Sequence, residues 1–313
     1  VSQSDSVISQ NNRQVLIGCL FVLLGAFGFS AKAVLVKLAY AYSYQLDAIT
    51  LMVLRMAISL PFFLAVAVWP VNNPTEINDA QRLSGREWLM IFGLGLLGYY
   101  IASFLDFAGL QYISASLERL ILFVYPTIVV LFTAVLQRRA INRHQALALA
   151  LSYAGIILVF VDNMTLMPSS ELLLGSALVL ASAVAYAFFL MGSGMMVKRI
   201  GSVRFTAYSM TVACLATGLH FLVQHGVELL NLPISVYWLA LIMAIFSTVL
   251  PAFLLNAGIG RIGAGSASII SSTGPIATLG LAFLLLGETL TLAQLAGTAL
   301  VLIGVYVVSR AKS

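Results

Sequence analysis

Five ionisable residues, Lys32, Arg55, Asp106, Glu118 and Arg119, interrupt stretches that are otherwise almost wholly apolar. On insertion scales a charge at the centre of a membrane-crossing helix costs at least ~2.5–3.5 kcal/mol, so each must face a partner or a wet cavity. Three cations beside two acids suit a molecule that carries both charges. The acids would hold an ammonium, and an arginine fork would meet a carboxylate through two parallel hydrogen bonds. Asp106 or Glu118 could instead carry a proton, and the whole set could be an ion network that locks helices together. Successive helical residues point ~100° apart, so Glu118 and Arg119 should have different partners.

The elements that position these groups follow from composition. The chain is 61% hydrophobic and only 9% charged, with a mean hydropathy of +1.03. A soluble domain carries roughly 25% charged residues, so lipid is the expected outer solvent. Alternating strand patterns are absent, which leaves helices to satisfy the backbone. A spanning helix needs ~20 mainly apolar residues. Ten such spans are predicted at about 14–37, 48–69, 88–109, 114–137, 144–161, 172–197, 204–224, 234–258, 264–286 and 290–309. The fold class is therefore an all-α polytopic membrane protein. The polar stretch near 70–87 reads as a loop, and the Gly-rich run Gly258-Ile-Gly260 to Gly263-Ala-Gly265 as a tight connection. Helix rise places all five ionisable residues in one half of the bilayer.

Basic residues fall at the termini and in alternate loops: Arg13, Arg82, Arg86, Arg138, Arg139, Arg143, Lys198, Arg199, Arg204, Arg261, Arg310 and Lys312. The opposite loops hold Asp162, Glu171, Glu228 and Glu288. Lys and Arg mark the cytoplasmic side, which predicts cytoplasmic tails at 1–13 and 310–313 and a bacterial inner-membrane location. The dispersed basic residues form no nucleic-acid-binding face.

Two stretches of the chain match without a gap. Pro126, Gln145 and Gly155 recur with identical spacing as Pro275, Gln294 and Gly304, and Ile113 and Ala115 as Ile262 and Ala264. A weaker match pairs Gly18, Val22, Leu23 and Ala26 with Gly175, Val179, Leu180 and Ala183. Dividing ten spans gives two five-helix repeats, 14–161 and 162–309, and an odd number per half inverts the second in the membrane. Pro126 and Gly274-Pro275 are candidate hinges beside a central cavity, or static kinks. Ser271, Ser272 and Thr273 could line that cavity or bond their own helix carbonyls. Tyr186 is the aromatic candidate for the cavity wall. Glu288 is expected at a helix junction, capping the tenth helix.

These residues resemble the drug/metabolite transporter superfamily, specifically its EamA-type ten-helix members. The resemblance covers nearly the whole chain. Gly287-Glu288, Gln294 and Gly304 look like that family's helix 9–10 signature, with Pro275 upstream. Ala108-Gly109-Leu110, Ala115 and Pro126 are similar to its helix 3–4 signature, and Leu54-Arg55 to its helix 2 arginine. The resemblance implies inverted repeats, a central cavity and movement of a small metabolite, often outward. The chain departs from the pattern where Arg138-Arg139 stands in place of a Gly-Glu pair, and where Glu118-Arg119 lies inside helix 4.

The expectation is a secondary transporter of a small polar or amphoteric metabolite such as an amino acid, exchanging or coupled to protons. A channel or structural membrane protein is the alternative. His144, His220 and His225 form no metal spacing, and no nucleophile motif appears, so neither a cofactor nor enzymatic catalysis is predicted. Cys19 and Cys214 both fall within spans and imply no disulfide.

Overall fold

The structure, a computed structural model, describes residues 2–68, 83–136, 143–164, 168–226, 231–271 and 273–310. Its helices are α1 (Ser2–Tyr42), α2 (Ala48–Val68), α3 (Gly85–Gly109), α4 (Ala115–Leu136), α5 (Arg143–Asn163), α6 (Ser169–Ile200) and α7 (Ser202–His225). They are followed by α8 (Ile234–Ala244, Ile245–Val249 and Leu250–Ser271), α9 (Gly274–Leu286) and α10 (Leu292–Arg310). Among the described residues, eight segments are long and apolar enough to cross a membrane, and Gly274–Leu286 and Leu292–Val307 are shorter apolar helices. No strand occurs among the described residues. Most of the expected 70–87 loop lies outside them, as do Ser272, Arg138 and Arg139.

Local chemistry sets the helix ends. Ser84 and Glu87 form a capping box at the start of α3, which satisfies two otherwise orphaned N–H groups. The Ser114 hydroxyl accepts a bond from the Leu117 N–H at the start of α4. Gly201, Gly226 and Gly287 have φ values of 80°, 65° and 66°, which turn the chain at a steric cost only glycine avoids.

The repeated sequence carries repeated backbone. Under the offset that takes Pro126 to Pro275 (149 residues), Gly85 at the start of α3 matches Ile234 at the start of α8. Arg143, which opens α5, matches Leu292, which opens α10. Wider π-type turns begin at Leu96 in α3 and at Ile245 in α8, again the same position. Helix α4 breaks after Leu122 and resumes at Tyr125; α8 ends at Ser271 and α9 starts at Gly274.

Both prolines therefore lie just after a break. Pro126 is the second residue of its helical segment and Pro275 the second of α9. A missing N–H costs little in a first turn, which is why the interruption precedes the ring.

Glycines set the helix crossings. A Cβ on Gly18 of α1 would lie 2.6 Å from Ile262 Cγ2, 2.9 Å from Arg261 Cβ and 3.6 Å from the Gly258 carbonyl. A Cβ on Gly175 of α6 would lie 2.7 Å from Ile113 Cγ2, 2.8 Å from Tyr112 Cβ and 3.1 Å from the Gly109 carbonyl. These triplets are the same positions of the two repeats, so α1 crosses α8 as α6 crosses α3. Helices α5 and α10 meet each other. Gly155 abuts Gly297, and Gly304 abuts Ala148 and Ser152, so α5 and α10 pack antiparallel through equivalent residues.

Close backbone approach of this kind replaces the hydrophobic effect as the driving force between helices in lipid. It also corrects the expected tight turn at Gly258–Gly265. That run is helical, within Leu250–Ser271, and the Gly258 signal reports close approach: a Cβ there would sit 2.5 Å from Val22 Cγ2. Gly175→Val is expected to cost about 1–3 kcal/mol through overpacking. Gly218→Ala, where a Cβ meets nothing within 4 Å, should be neutral or stabilising by up to about 1 kcal/mol. Thermal unfolding of both variants in one detergent checks the contrast.

Candidate functional site

Helices α1, α2, α3 and α4 bring the five ionisable residues into one cluster. Lys32 Nζ donates to Asp106 Oδ2 at 2.6 Å, tying α1 to α3. The Asp106 and Glu118 carboxyl groups lie within electrostatic reach of each other. Phe107 is the shared floor. The Arg55 guanidinium sits 4.7 Å and Lys32 Nζ 5.9 Å from its ring centroid, where the ring's negative face attracts cations.

Glu118 and Arg119 do point to different partners. Arg119 Nε donates to Thr278 Oγ1 at 3.1 Å, and its Nη2 to the Phe29 and Ser30 carbonyls at 2.9 and 3.4 Å. Thr278 in turn donates to the Ser30 carbonyl at 3.0 Å. Arg119 thus binds α4 to α1 and α9, while its Nε is 3.9 Å from Glu118 Oε2. Glu118 is 0% exposed, and neither of its oxygens has a hydrogen-bond partner among the described residues. The same holds for Asp106 Oδ1 and for Nε and Nη2 of Arg55, which is only 3% exposed. Buried polar atoms without partners are costly. Two donors and three acceptors concentrated in one cluster mark a place where a ligand of both signs gains most.

The other candidates are arranged around this cluster. Tyr186 packs edge-on against Tyr125 at 5.1 Å and stacks on Phe189 at 5.7 Å. Tyr125 contacts Phe123, and a Cβ on Gly274 would lie 3.2 Å from Ser30 Oγ and 3.7 Å from the Phe123 ring. An aromatic path therefore links Tyr186 to the helix break and to Ser30. Ser271 is the last residue of α8, and Ser272 lies outside the described residues. The Thr273 hydroxyl donates to the Ile270 carbonyl at 2.8 Å, so it bonds its own helix. Thr273 also borders an open apolar groove on the surface of the bundle with Leu16, Cys19, Leu20, Leu23 and Ile270. Sequence reasoning missed Ser30, Thr278 and Phe107, which give no signal beyond an ordinary residue in an apolar helix.

Glu288 does not cap α10. Its carboxylate accepts from the Ala115 N–H at 2.8 Å, the Ser116 N–H at 3.2 Å and the Ser116 hydroxyl at 2.6 Å. It therefore caps α4, whose free N–H groups attract an anion in the same way. Asp47 makes a second link beside α2: it accepts from the Thr50 N–H at 3.0 Å and faces His225 Nε2 at 2.9 Å. Burial alone would raise the Asp47 pKa, but bonds from Thr50 and His225 outweigh it and hold the carboxyl below its usual range.

A depressed carboxyl stabilises the fold above its unfolded value, ~3.9, and that contribution is lost as pH falls through the lower folded value. Acidifying from about pH 6 to about pH 3 should lower the unfolding temperature of the parent more than that of Asp47→Asn. Equal pH slopes would contradict this.

Among the described residues no group of three His, Cys, Asp or Glu could hold a metal ion. Comparison with known proteins places the chain. It matches the EamA-like transporter family twice, over residues 16–161 and 173–310. The uncharacterized transporter YcbK of Bacillus subtilis is 33% identical over 290 residues, covering 91% of this chain and 90% of YcbK. An uncharacterized transporter of Synechocystis is 28% identical, covering 91% of each protein. A solved structure described only as the crystal structure of a protein superposes with a TM-score of 0.61 at 19% identity, over 95% of this chain and 97% of the other. At that identity it speaks for the fold alone. A two-fold family match across an all-helical chain with a buried polar centre leads to one conclusion: this is an integral membrane protein of the EamA-like transporter family.

Proposed function

We propose that this protein is a secondary active transporter that exports a small amphoteric metabolite, an amino acid or related zwitterion, by alternating access. The single observation that carries the reading is the two-signed cluster of Arg55, Asp106 and Glu118, buried together with polar atoms that no described protein group satisfies. Arg55 would hold the carboxylate, and Asp106 with Glu118 the ammonium. Lys32 balances Asp106, and Arg119 is chiefly structural, since its bonds to Thr278, Phe29 and Ser30 join three helices.

The frame for this motion is a pair of inverted repeats, 14–161 and 162–309. The antiparallel contact of equivalent residues between α5 and α10 supports that arrangement, as do the paired crossings of α1 on α8 and α6 on α3. Rocking would pivot at the breaks before Pro126 and Pro275. The basic loops favour cytoplasmic termini in a bacterial inner membrane.

Binding tests the chemistry first. Ligands that bind the native state raise the unfolding temperature. Zwitterions should stabilise the purified protein more than matched amines, acids or neutral analogues. Stabilisation by amines or acids alone would contradict a two-signed site. Proton coupling has its own check, in transport by Asp106→Asn and Glu118→Gln across pH. A flattened pH profile in at least one is expected, and two wild-type profiles would exclude both as carriers.

A further inference from the structure

Repeat-related contacts pick out a residue that the intramembrane charges do not. Helix α3 crosses α6 as α8 crosses α1, and the register holds along the contact. A Cβ on Gly109 of α3 would lie 2.5 Å from Val179 Cγ2 and 3.0 Å from the Gly175 carbonyl. On Gly258 of α8 it would lie 2.5 Å from Val22 Cγ2 and 2.9 Å from the Gly18 carbonyl. Further along, the Ser182 hydroxyl of α6 donates to the Ala102 carbonyl at 2.7 Å. Their counterparts are Gly25 of α1 and Pro251 of α8, and a Cβ on Gly25 would lie 3.2 Å from the Pro251 carbonyl.

At the π-type turns the two crossings differ in chemistry. A Cβ on Gly98 of α3 would lie 2.7 Å from Phe189 Cβ of α6 and closer still to its ring. Phe189 in turn packs on Tyr99, Tyr186 and Phe205 at 4.8, 5.7 and 5.9 Å, so rings fill this space. The same register sets Ser247 of α8 in place of Gly98, and Lys32 of α1 in place of Phe189. The turn does press on α1 there: a Cβ on Gly28, one turn before Lys32, would lie 2.5 Å from the Phe246 carbonyl. Lys32 is taken up by Asp106. Ser247 is 1% exposed, and its hydroxyl has no partner among the described residues. A serine in an apolar helix can return that proton to its own backbone, as Ser30 does to Ala26 and Ser59 to Arg55. Ser247 does not, and it lies in a π-type turn, a feature frequent at functional sites.

Arg55 lies at the same depth. Helix α2 starts just after Asp47, and α8 follows α7, whose last residue, His225, faces Asp47. Both helices therefore start at one end and run the same way. They pack together through the π-type turn, and further along Phe63 meets Phe253 at 6.0 Å. Six residues before these rings stand Ala57 and Ser247, and Ala57 is next but one to Arg55.

We infer that Ser247 is a substrate-binding residue supplied by the second repeat, its hydroxyl donating to the carboxylate that Arg55 holds. The ligand then bridges the two repeats, with its carboxylate between α2 and α8 and its ammonium on α3 and α4. This rests on the two-signed site proposed above.

The test is isothermal binding and thermal unfolding of the full chain in detergent. The probes are the common L-amino acids and, for each that binds, the matching amine and carboxylic acid. Ser247→Ala should bind the amino acid about 10–150-fold more weakly, with a similar loss for the acid and none for the amine. Its unfolding temperature without ligand should not fall, because no bond within the described protein is removed. Ser247→Cys keeps the volume but donates weakly. It should lose affinity in the same direction, and it serves if Ser247→Ala does not fold. Ser209→Ala removes another buried hydroxyl without a partner, in a residue set against Gly95, and should bind like the parent. Parent-like affinity in Ser247→Ala, or an equal loss for amines, would overturn the role of Ser247 and leave the two-signed site standing. A parent that binds none of these compounds would overturn that site and Ser247 with it.

Discussion

Arg55→Gln and Arg55→Lys are both expected to weaken zwitterion binding by about 10–150-fold, the value of a lost charge-assisted hydrogen bond. Neither should lower stability. Arg55 is 3% exposed, and its Nε and Nη2 have no hydrogen-bond partner among the described residues. What it does contact is the Phe107 ring. Arg55→Gln therefore breaks little within the protein and relieves the burial of a charge, while Arg55→Lys keeps a cation beside the same ring. Lysine does not substitute, because a point charge cannot form two parallel bonds to a carboxylate. Isothermal binding and thermal unfolding on the same samples separate the outcomes. Lost binding with stability retained supports a ligand-facing guanidinium. Lost stability would assign Arg55 to a structural ion network.

Arg119→Met should show the opposite pattern. Removing one member of a buried charged pair typically costs about 3–5 kcal/mol, and here it also removes the bonds to Thr278, Phe29 and Ser30 and takes the neighbouring cation from Glu118. We expect strong destabilisation in unfolding experiments. Glu118→Gln in the same background should restore part of the loss, and a double-mutant cycle measures that coupling. If Arg119→Met unfolds like the parent, the Arg119–Thr278–Ser30 link does not hold α4 to α1 and α9. Its position argues otherwise, since Arg119 donates to side chain and backbone on two other helices.

The contrast between Arg55 and Arg119 also shows what a sequence discloses. Both stood out because charge is expensive in lipid, so their membership of one cluster could be read from depth along the helices alone. Their different roles could not, because these depend on which neighbour each side chain reaches. Ser30 and Thr278 are unremarkable letters in apolar helices until Arg119 arrives from α4.

Glu288 was legible as a helix cap, but the choice of α4 over α10 is a tertiary fact about which N-terminus lies nearer. The Gly258 region misled for a related reason. Glycine serves turns and close helix contacts equally well, and only the 2.5 Å approach to Val22 Cγ2 decides between them. By contrast, the repeat signalled by Pro126 and Pro275 extends to the helix starts, the π-type turns and the glycine contacts. Backbone geometry follows such spacing directly.

Counterflow in proteoliposomes tests the transport reading most directly. Vesicles loaded with an unlabelled zwitterion that stabilises the protein should take up its labelled form against a gradient, with saturation, and Arg55→Gln should abolish that uptake. Flux that neither saturates nor exchanges, or no flux of amino acids, amines or organic acids at all, would contradict it.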